Sequence, residues 1–465
     1  MKLFWLAISL VIATQTHARP NVLLIMADDL AATLGCYQHP QAKTPHLDAL
    51  AARGLLFSKA YCQFPHCNPS RASMMSGLRP ATTAVTNNED NLYQNLPEVL
   101  TLPHHFRNHG YATARCGKIF HLGVPTGLES MDDPQAWDFG TPFASELPFP
   151  PARKSMVKVK TGKKQGISWL EIPDGEDLLV DGRFTQEAVR WLAERDDEKP
   201  FFLAVGFHRP HLPLVAPATY FDQYPLESIE LPKSPADDED DIPLPARNGG
   251  VPGYTLTATT EQRRAAIRAY LACVSYVDAQ VGRLLAAIKT NGQEENTIVL
   301  FTSDHGWHLG EHGLWHKRSL FEESARVPFI LHVPGMKTAG QRSGSLIELL
   351  DVFPTLCDLC ELPTPKTLQG QSMRPFLENR DHVLHEAAHT QARRGANAEN
   401  WGHSVRTGRW RYTEWDDGRN GAELYDHDHD PQEYHNLAKD PQHAGLIQKM
   451  QALLKKTPAT NKPQP

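Results

Sequence analysis

Several protein classes are excluded by what the sequence lacks. No apolar run of 18 residues or more occurs in the 465-residue chain, so no segment reads as a membrane span. Excess positive charge is missing: Lys+Arg 47 against Asp+Glu 54 gives a formal charge of −7, which excludes a general nucleic-acid binder. Gly 31 and Pro 36 are ordinary usage, so collagen-like and low-complexity chains are out. Cysteine is scarce, and the 7 present are an odd number, so at least one is unpaired within the chain. The N-x-S triplet at Asn68 is blocked by Pro69, which leaves no N-glycosylation acceptor. What is present suits a globular protein with a proper core: 40% apolar residues, 22% charged, and 23 histidines that point to metal or acid/base chemistry. The length allows two or three domains, or one large α/β domain with a satellite.

The N-terminus reads as a secretory leader. Lys2 is a short basic start, Leu3 to Ala13 is apolar but too short to span, and Thr16-His17-Ala18 offers small residues at a cleavage site. Residues 1–18 are expected to be a signal peptide, with an exported, periplasmic or secreted mature chain beginning near Arg19.

Apolar strands then alternate with amphipathic helices. Asn21–Ala27 is a continuous apolar run, as in a buried parallel strand. Thr44-Pro45 opens a helix that Gly54 ends, Pro103–His109 is a helix stopped by Gly110, and Tyr111–Cys116 is a strand. Thr185–Arg195 and Glu261–Lys289 carry helical periodicity, and Phe201–Phe207, Thr297–Thr302 and Val327–Val333 are apolar strands. The rhythm predicts an α/β fold: a mostly parallel sheet flanked by helices. Ligands in such sheets bind beyond the carboxyl ends of the strands. Three strands here end in polar groups, Asp28-Asp29, His208 and Asp304-His305, which should converge.

Two Pro-rich stretches read as long surface loops. Ser145–Gly175 is basic (Arg153, Lys154, Lys158, Lys160, Lys163, Lys164), and Leu231–Gly253 is acidic from Asp237 to Asp241. Each is a solvated insertion or, for the basic one, a rim that holds an anionic polymer. Beyond residue 381 short strands appear (His403–Thr407, Arg409–Trp415), then Glu423-Leu-Tyr-Asp and a helix near Leu446–Lys455. Residues 382–456 are therefore expected to form a smaller α+β subdomain, after a catalytic domain at 19–381 and before a disordered tail at 457–465. Cys357-x-x-Cys360 lies in an apolar helical pattern without a second cysteine pair, and reads as core or a local disulfide.

The segment richest in chemistry is Cys67-Asn68-Pro69-Ser70-Arg71, followed by Ser76-Gly77. Pro69 and Ser70 favour a first helical turn, which puts Cys67 at a helix N-terminus where backbone N–H groups favour an anion. Arg71, one turn on, can reach an oxyanion beside Cys67. A lone cysteine before a helix is usually just buried, but this one sits in a C-x-P-S-R motif that resembles the signature of the sulfatase family. The resemblance implies an alkaline-phosphatase/sulfatase-like fold and the oxidation of Cys67 to formylglycine by a formylglycine-generating or anaerobic maturation enzyme. A gem-diol oxygen of the hydrated aldehyde is then the nucleophile, and the reaction passes through a covalent sulfo-enzyme.

The rest of the family pattern follows. Asp28, Asp29, Asp304 and His305 lie after strands, and clustered carboxylates suit a hard cation held through oxygen, which the resemblance makes Ca²⁺ beside Cys67. Many sulfatases carry Asn where this chain has His305, a softer ligand. Gly117-Lys118-Ile119-Phe120-His121 resembles the family's G-K-x-x-H; Lys118 is implied to neutralise sulfate and His121 to act as base. His208 ends a strand and is implied to meet the sulfate or the leaving oxygen. Lys317, in Trp315-His316-Lys317, is implied to complete the cationic cradle. Either His208 or Lys317 is implied to protonate the leaving alcohol. The histidines at 305, 308, 312 and 316 lack zinc-site spacing and thiolate partners. Stretches such as Leu34-Gly-Cys-Tyr37, Phe201 to His211 and Thr302 to Trp307 resemble the iduronate-2-sulfatase branch, which implies a sulfated carbohydrate substrate. Two other readings stand beside this one: a phosphate or phosphonate monoester hydrolase, and a non-catalytic glycan-binding protein, which would be expected to have lost Cys67, Arg71 or Lys118.

Overall fold

The computed structural model describes residues 19–121, 131–142, 156–159, 166–195, 198–247, 258–395 and 398–456. The expected leader at 1–18 and tail at 457–465 lie outside them. In chain order the strands are β1 (Asn21–Asp28), β2 (Leu55–Tyr61), β3 (Ala112–Gly117), β4 (Phe139–Gly140), β5 (Val157–Val159), β6 (Ile167–Ile172), β7 (Phe201–Pro210), β8 (Leu214–Pro217) and β9 (Thr297–Ser303). They continue as β10 (His308–Leu309), β11 (Trp315–His316), β12 (Arg326–His332), β13 (Gln341–Glu348), β14 (Ala388–Arg394), β15 (Asn400–Arg406), β16 (Trp410–Trp415) and β17 (Ala422–Asp426).

An eight-stranded sheet in the order β13-β2-β12-β9-β1-β7-β3-β4 forms the centre. Neighbours are parallel except at β12, which runs antiparallel to both β9 and β2. Every residue of β1 is buried. Its odd and even positions serve two cores. Leu23, Ile25 and Ala27 join one with Phe184, Tyr270 and Val281, while Val22, Leu24 and Met26 join the other with Met74, Phe106 and Phe353. Burial on both faces is why β1 reads as an unbroken apolar run rather than an alternating one.

The structure extends or revises several sequence expectations. The helix expected from Thr185 begins at Val180; Asp181 and Gly182, poor helix formers in its buried first turn, mask that start. Strands β2, β13 and β14 were not anticipated; β2 and β13 carry Ser and Lys or Arg among their apolar residues, which masks the period. Within the stretch expected to be a basic loop, β5 and β6 pair and join β8 in a small sheet. Lys158 is exposed there, whereas Arg153, Lys154, Lys160, Lys163 and Lys164 lie outside the described residues. The acidic stretch is not simply solvated, since Asp238 is buried. Cys357 and Cys360 are buried free thiols, as are the other core cysteines, so the disulfide alternative fails and the core alternative holds.

The helix Thr260–Thr290 is long and apolar enough, by length and composition, to cross a membrane, which qualifies the expectation that no segment resembles a span. It begins with a capping box at Thr259 and Gln262 and packs on the sheet, with 67% of its most apolar window buried, as a core helix does. Towards the C-terminus, β14 to β17 form an antiparallel four-stranded sheet, and the helix Ala444–Leu454 packs against it through Met450.

Candidate active site

The carboxyl ends of β1, β3, β7 and β9 meet at one point. The β1–β7 register shifts between Ala27 and Asp28, so β1 turns just where its acids begin. Asp29 takes a left-handed backbone (φ 65), and Tyr270 fastens it by donating its hydroxyl to the Asp29 carbonyl (2.8 Å) while accepting the Ala31 N–H (2.9 Å). Gly117 also has positive φ, and any Cβ there would collide with the Gly206 carbonyl, so β3 and β7 approach closely only with glycine at both positions.

Cys67 is the first residue of the helix Cys67–Ser76, every residue of which is buried. Its Sγ lies 3.0 Å from Lys317 Nζ, 3.4 Å from His305 Nε2 and 3.9 Å from Asp29 Oδ1. One ligand atom from each of Asp28, Asp29, Cys67 and His305 falls within 4.8 Å of the others. Asp304 is adjacent but otherwise engaged: Oδ2 accepts Arg71 Nε (2.8 Å), and Oδ1 accepts the backbone N–H groups of Asp29 (3.2 Å) and His305 (3.0 Å). The Ser70 hydroxyl donates to the Asp304 carbonyl and ties the helix Cys67–Ser76 to the end of β9.

The cations ring this cluster. Arg71 is fully buried and aimed by its own hydrogen bonds, Nη1 donating to the carbonyls of Lys118 (2.6 Å) and Ile119 (2.9 Å). That leaves Nη2 as a buried donor 3.5 Å from Asp28 Oδ1. Lys118 Nζ donates to Asp28 Oδ2 (2.5 Å), and Lys317 pairs with Asp29. Burial pushes the Asp28 carboxyl up, but Lys118, His211, Arg71 and Lys317 outweigh it and hold it well below the usual range. Burial raises Asp29 to about 7 against the pull of Lys317, with Asp28 and Asp304 adding to the rise. Burial also raises the Cys67 thiol, which is not a ready thiolate here.

His208 and His121 are buried with both ring nitrogens unpartnered. Burial lowers His208 to about 3, and both rings feel Lys118, Asp28 and Arg71, which places them at the same charge cluster. Asp181 sets the end of β7 by accepting the N–H groups of His208 (2.8 Å) and Arg209 (3.1 Å). All of the residues singled out from the sequence thus gather here, Asp304, His121 and His208 at one remove from the four-atom cluster.

Three contributors were not singled out. His211 Nε2 stands 3.9 Å from Asp29 Oδ2; it belongs to the same strand-end stretch as His208 and was findable there. Tyr270 and Asp181 had no local signal, since a helix tyrosine and a helix-start aspartate are unremarkable in sequence. Of the four histidines between 305 and 316, only His305 joins the cluster. His308 bonds Ser319 Oγ (2.6 Å) and His312 pairs with Asp238, so they do not form a zinc site.

The cluster could hold a metal ion: its two carboxylates suit a hard cation, while His305 Nε2 and the unmodified Cys67 Sγ are softer donors. Lys118 and Lys317 offset part of the charge of Asp28 and Asp29, yet Asp28 Oδ1 and Asp29 Oδ2 remain buried oxygens without hydrogen-bond partners, which a divalent cation would ligate.

A mostly parallel sheet with acids at its strand ends and a buried helix presenting a cysteine defines an alkaline-phosphatase-like hydrolase fold, shared with solved structures. The phosphonate monoester hydrolase of Agrobacterium radiobacter superposes with TM-score 0.76 at 25% identity, covering 94% of this chain and 95% of that one. A 2-O GAG sulfatase superposes with TM-score 0.72 at 27% identity, covering 94% and 91%. The family described as Sulfatase matches residues 20–362, and "N-sulphoglucosamine sulphohydrolase, C-terminal" matches 310–460. A sulfatase of Formosa agariphila is 33% identical over 95% of this chain and 87% of its own length, and iduronate 2-sulfatase of Mus musculus is 33% identical over 92% of each. The chain belongs to the sulfatase family, hydrolases of sulfate esters.

Proposed function

We propose that this chain removes sulfate from a sulfated glycan, in the manner of iduronate 2-sulfatase, with Cys67 matured to formylglycine and Ca²⁺ held by Asp28, Asp29, His305 and the matured Cys67, Asp304 standing beside them. The observation that carries the reading is the position of Cys67: first residue of a buried helix, 3.0 Å from Lys317 Nζ, beside Asp28, Asp29 and His305. A thiol raised by burial is a poor nucleophile, which supports conversion to an oxygen nucleophile. The matured aldehyde hydrate would supply that oxygen, and the ion would polarise a sulfate oxygen.

The chain's own groups do the rest. Arg71 Nη2, Lys118 Nζ and Lys317 Nζ supply fixed positive charge for the three sulfate oxygens, preorganised by bonds to Asp304, Asp28 and Asp29. Lys317, held protonated by Asp29 and its neighbours, is the proton donor to the leaving alcohol. His208 is neutral at pH 7 and orients that oxygen. His121, neutral because burial and Lys118 oppose its charge, accepts the proton that frees sulfate. The leader-like residues 1–18 support export, and the Cys67 motif supports dependence on a maturation enzyme in the host.

A second reading, phosphonate monoester hydrolysis, is favoured by the superposition on the Agrobacterium enzyme. A peptide-mass scan of the Cys67 segment, run beside sulfate- and phosphate-release assays, decides between them. Formylglycine mass with sulfate release from uronate-2-sulfated oligosaccharides is expected. Phosphonate turnover without sulfate release would overturn the sulfatase reading.

A further inference from the structure

Lys317 does not reach Cys67 from a robust element. It directly follows the β10–β11 hairpin, whose strands are two residues each, paired His308 with His316 and Leu309 with Trp315. A ladder this short has no independent stability, so something else must hold it. The hairpin turn is built on His312, which adopts a left-handed backbone (φ 54), while Glu311 Oε2 accepts the Leu309 N–H (2.6 Å).

His312 is gripped from outside the hairpin. Its Nδ1 lies 3.1 and 3.3 Å from the two carboxylate oxygens of Asp238, its backbone N–H donates to Ser234 Oγ (3.2 Å), and its ring stacks on Phe321 with centroids 4.0 Å apart. The segment bearing Asp238 is itself anchored to the C-terminal part of the chain. Asp241 Oδ2 accepts the Asn436 N–H (2.9 Å), Asn436 Nδ2 donates to the Asp241 carbonyl (3.0 Å), and the Tyr434 hydroxyl donates to the Lys233 carbonyl. The acidic stretch is thus a strap: Lys233 and Asp241 tie it to the residues after β17, and Ser234 and Asp238, between them, grip the lysine-bearing hairpin.

We propose that Asp238 is a positioning residue for Lys317: its ion pair with His312 clamps the hairpin turn and so holds the Lys317 ammonium against Cys67 and Asp29. The groups facing His312 favour its charged form. Burial opposes charge, but Asp238, Glu323 and Glu433 outweigh it and raise His312 to about 9; Glu311 is in the same turn, and the His308 ring centroid is 6.4 Å away. The pair is therefore intact at neutral pH and weakens in alkaline solution.

The proposal relies on the sulfatase reading only for its kinetic readout. With the matured enzyme and a uronate-2-sulfated disaccharide, Asp238→Asn is expected to lower kcat about tenfold with little change in KM, as misplacement of a transition-state group does. Asp238→Glu should recover most of the loss. In a Lys317→Ala background Asp238→Asn should add nothing, because the two act through one group. Backbone hydrogen exchange should accelerate at residues 308–317 while β1 keeps its protection. If Asp238→Asn does not fold, His312→Gln takes its place. An unchanged kcat, or the same loss with and without Lys317, overturns the clamp. Should the wild type release no sulfate at all, the functional reading fails, and the exchange data alone decide the clamp: unchanged exchange at 308–317 sinks it, and selective acceleration upholds it.

Discussion

Lys317 Nζ stands 3.0 Å from Cys67 Sγ, although 250 residues of chain separate them. The contact joins the helix after β2 to the segment after β11. Replacing Lys317 with Ala in matured protein should lower kcat by about 10²–10³, the usual loss for one preorganised charge. Steady-state sulfate release measures it, and a loss below threefold would remove Lys317 from the mechanism.

Cys67→Ala should abolish turnover while leaving the fold intact, because the side chain is small and its neighbours are polar groups that pair with one another. Circular dichroism and sulfate release on the same preparation check both halves. Near-wild-type activity would contradict the role given to position 67.

Arg71 is expected to matter for stability as well as for turnover. Its guanidinium, Asp304 and Asp28 are all fully buried. Arg71→Leu leaves those carboxylates with one cation fewer, and removing one partner of a buried pair costs about 3–5 kcal/mol. Urea denaturation should show an unfolding free energy lower by that amount, a larger loss than for an exposed arginine such as Arg190.

Calcium removal has a defined expectation. Dialysis against EGTA should lower Tm and stop turnover, since Asp28 and Asp29 then face each other with buried oxygens unsatisfied. Adding Ca²⁺ should restore both; at a concentration of 100 times Kd the stabilisation is about 2.7 kcal/mol. Restoration by Zn²⁺ and not by Ca²⁺ would refute the hard-ion assignment.

Acid should attack a different place. Arg411 Nε donates to Glu433 Oε1 (2.5 Å) and its Nη2 to Glu322, all buried between the central sheet and the C-terminal one. Burial opposes the Glu433 charge, but Arg411 and His427 hold its carboxyl down at about 2 against an ordinary 4.5. A carboxyl depressed in the folded state adds stability above its unfolded pKa and loses it as pH falls through the folded one. Stability from this pair should therefore be complete above about pH 4.5 and decay towards pH 2. Thermal melts of wild type and Arg411→Met should differ most near neutrality and converge in acid.

Much of this was legible in the residues. The double burial of β1 wrote itself as an apolar run, and Pro69 with Ser70 marked the helix that presents Cys67. Strand-end acids at 28, 29 and 304 pointed to a common site, because open α/β sheets collect ligands at that edge. What stayed hidden depended on long-range partners. The reversed direction of β12 cannot be read from its apolar pattern, since parallel and antiparallel central strands look alike when both faces are covered. Strand β13, with Ser, Gly and Arg at its edge position, carries no period. The burial of Asp238 inside an acidic run is invisible until His312 arrives from 74 residues away.

The two cores on either side of β1 have a bearing on how this enzyme can change. Asp28 and Asp29 hang from the strand whose alternate side chains both layers grip, so the acids cannot drift without unpacking the whole interior. Lys317, by contrast, rides on a hairpin two residues deep, fastened by a surface strap. Selection for a new sulfated partner therefore has an inexpensive handle in the strap and its anchors, while the acid end of β1 is frozen by the interior it belongs to.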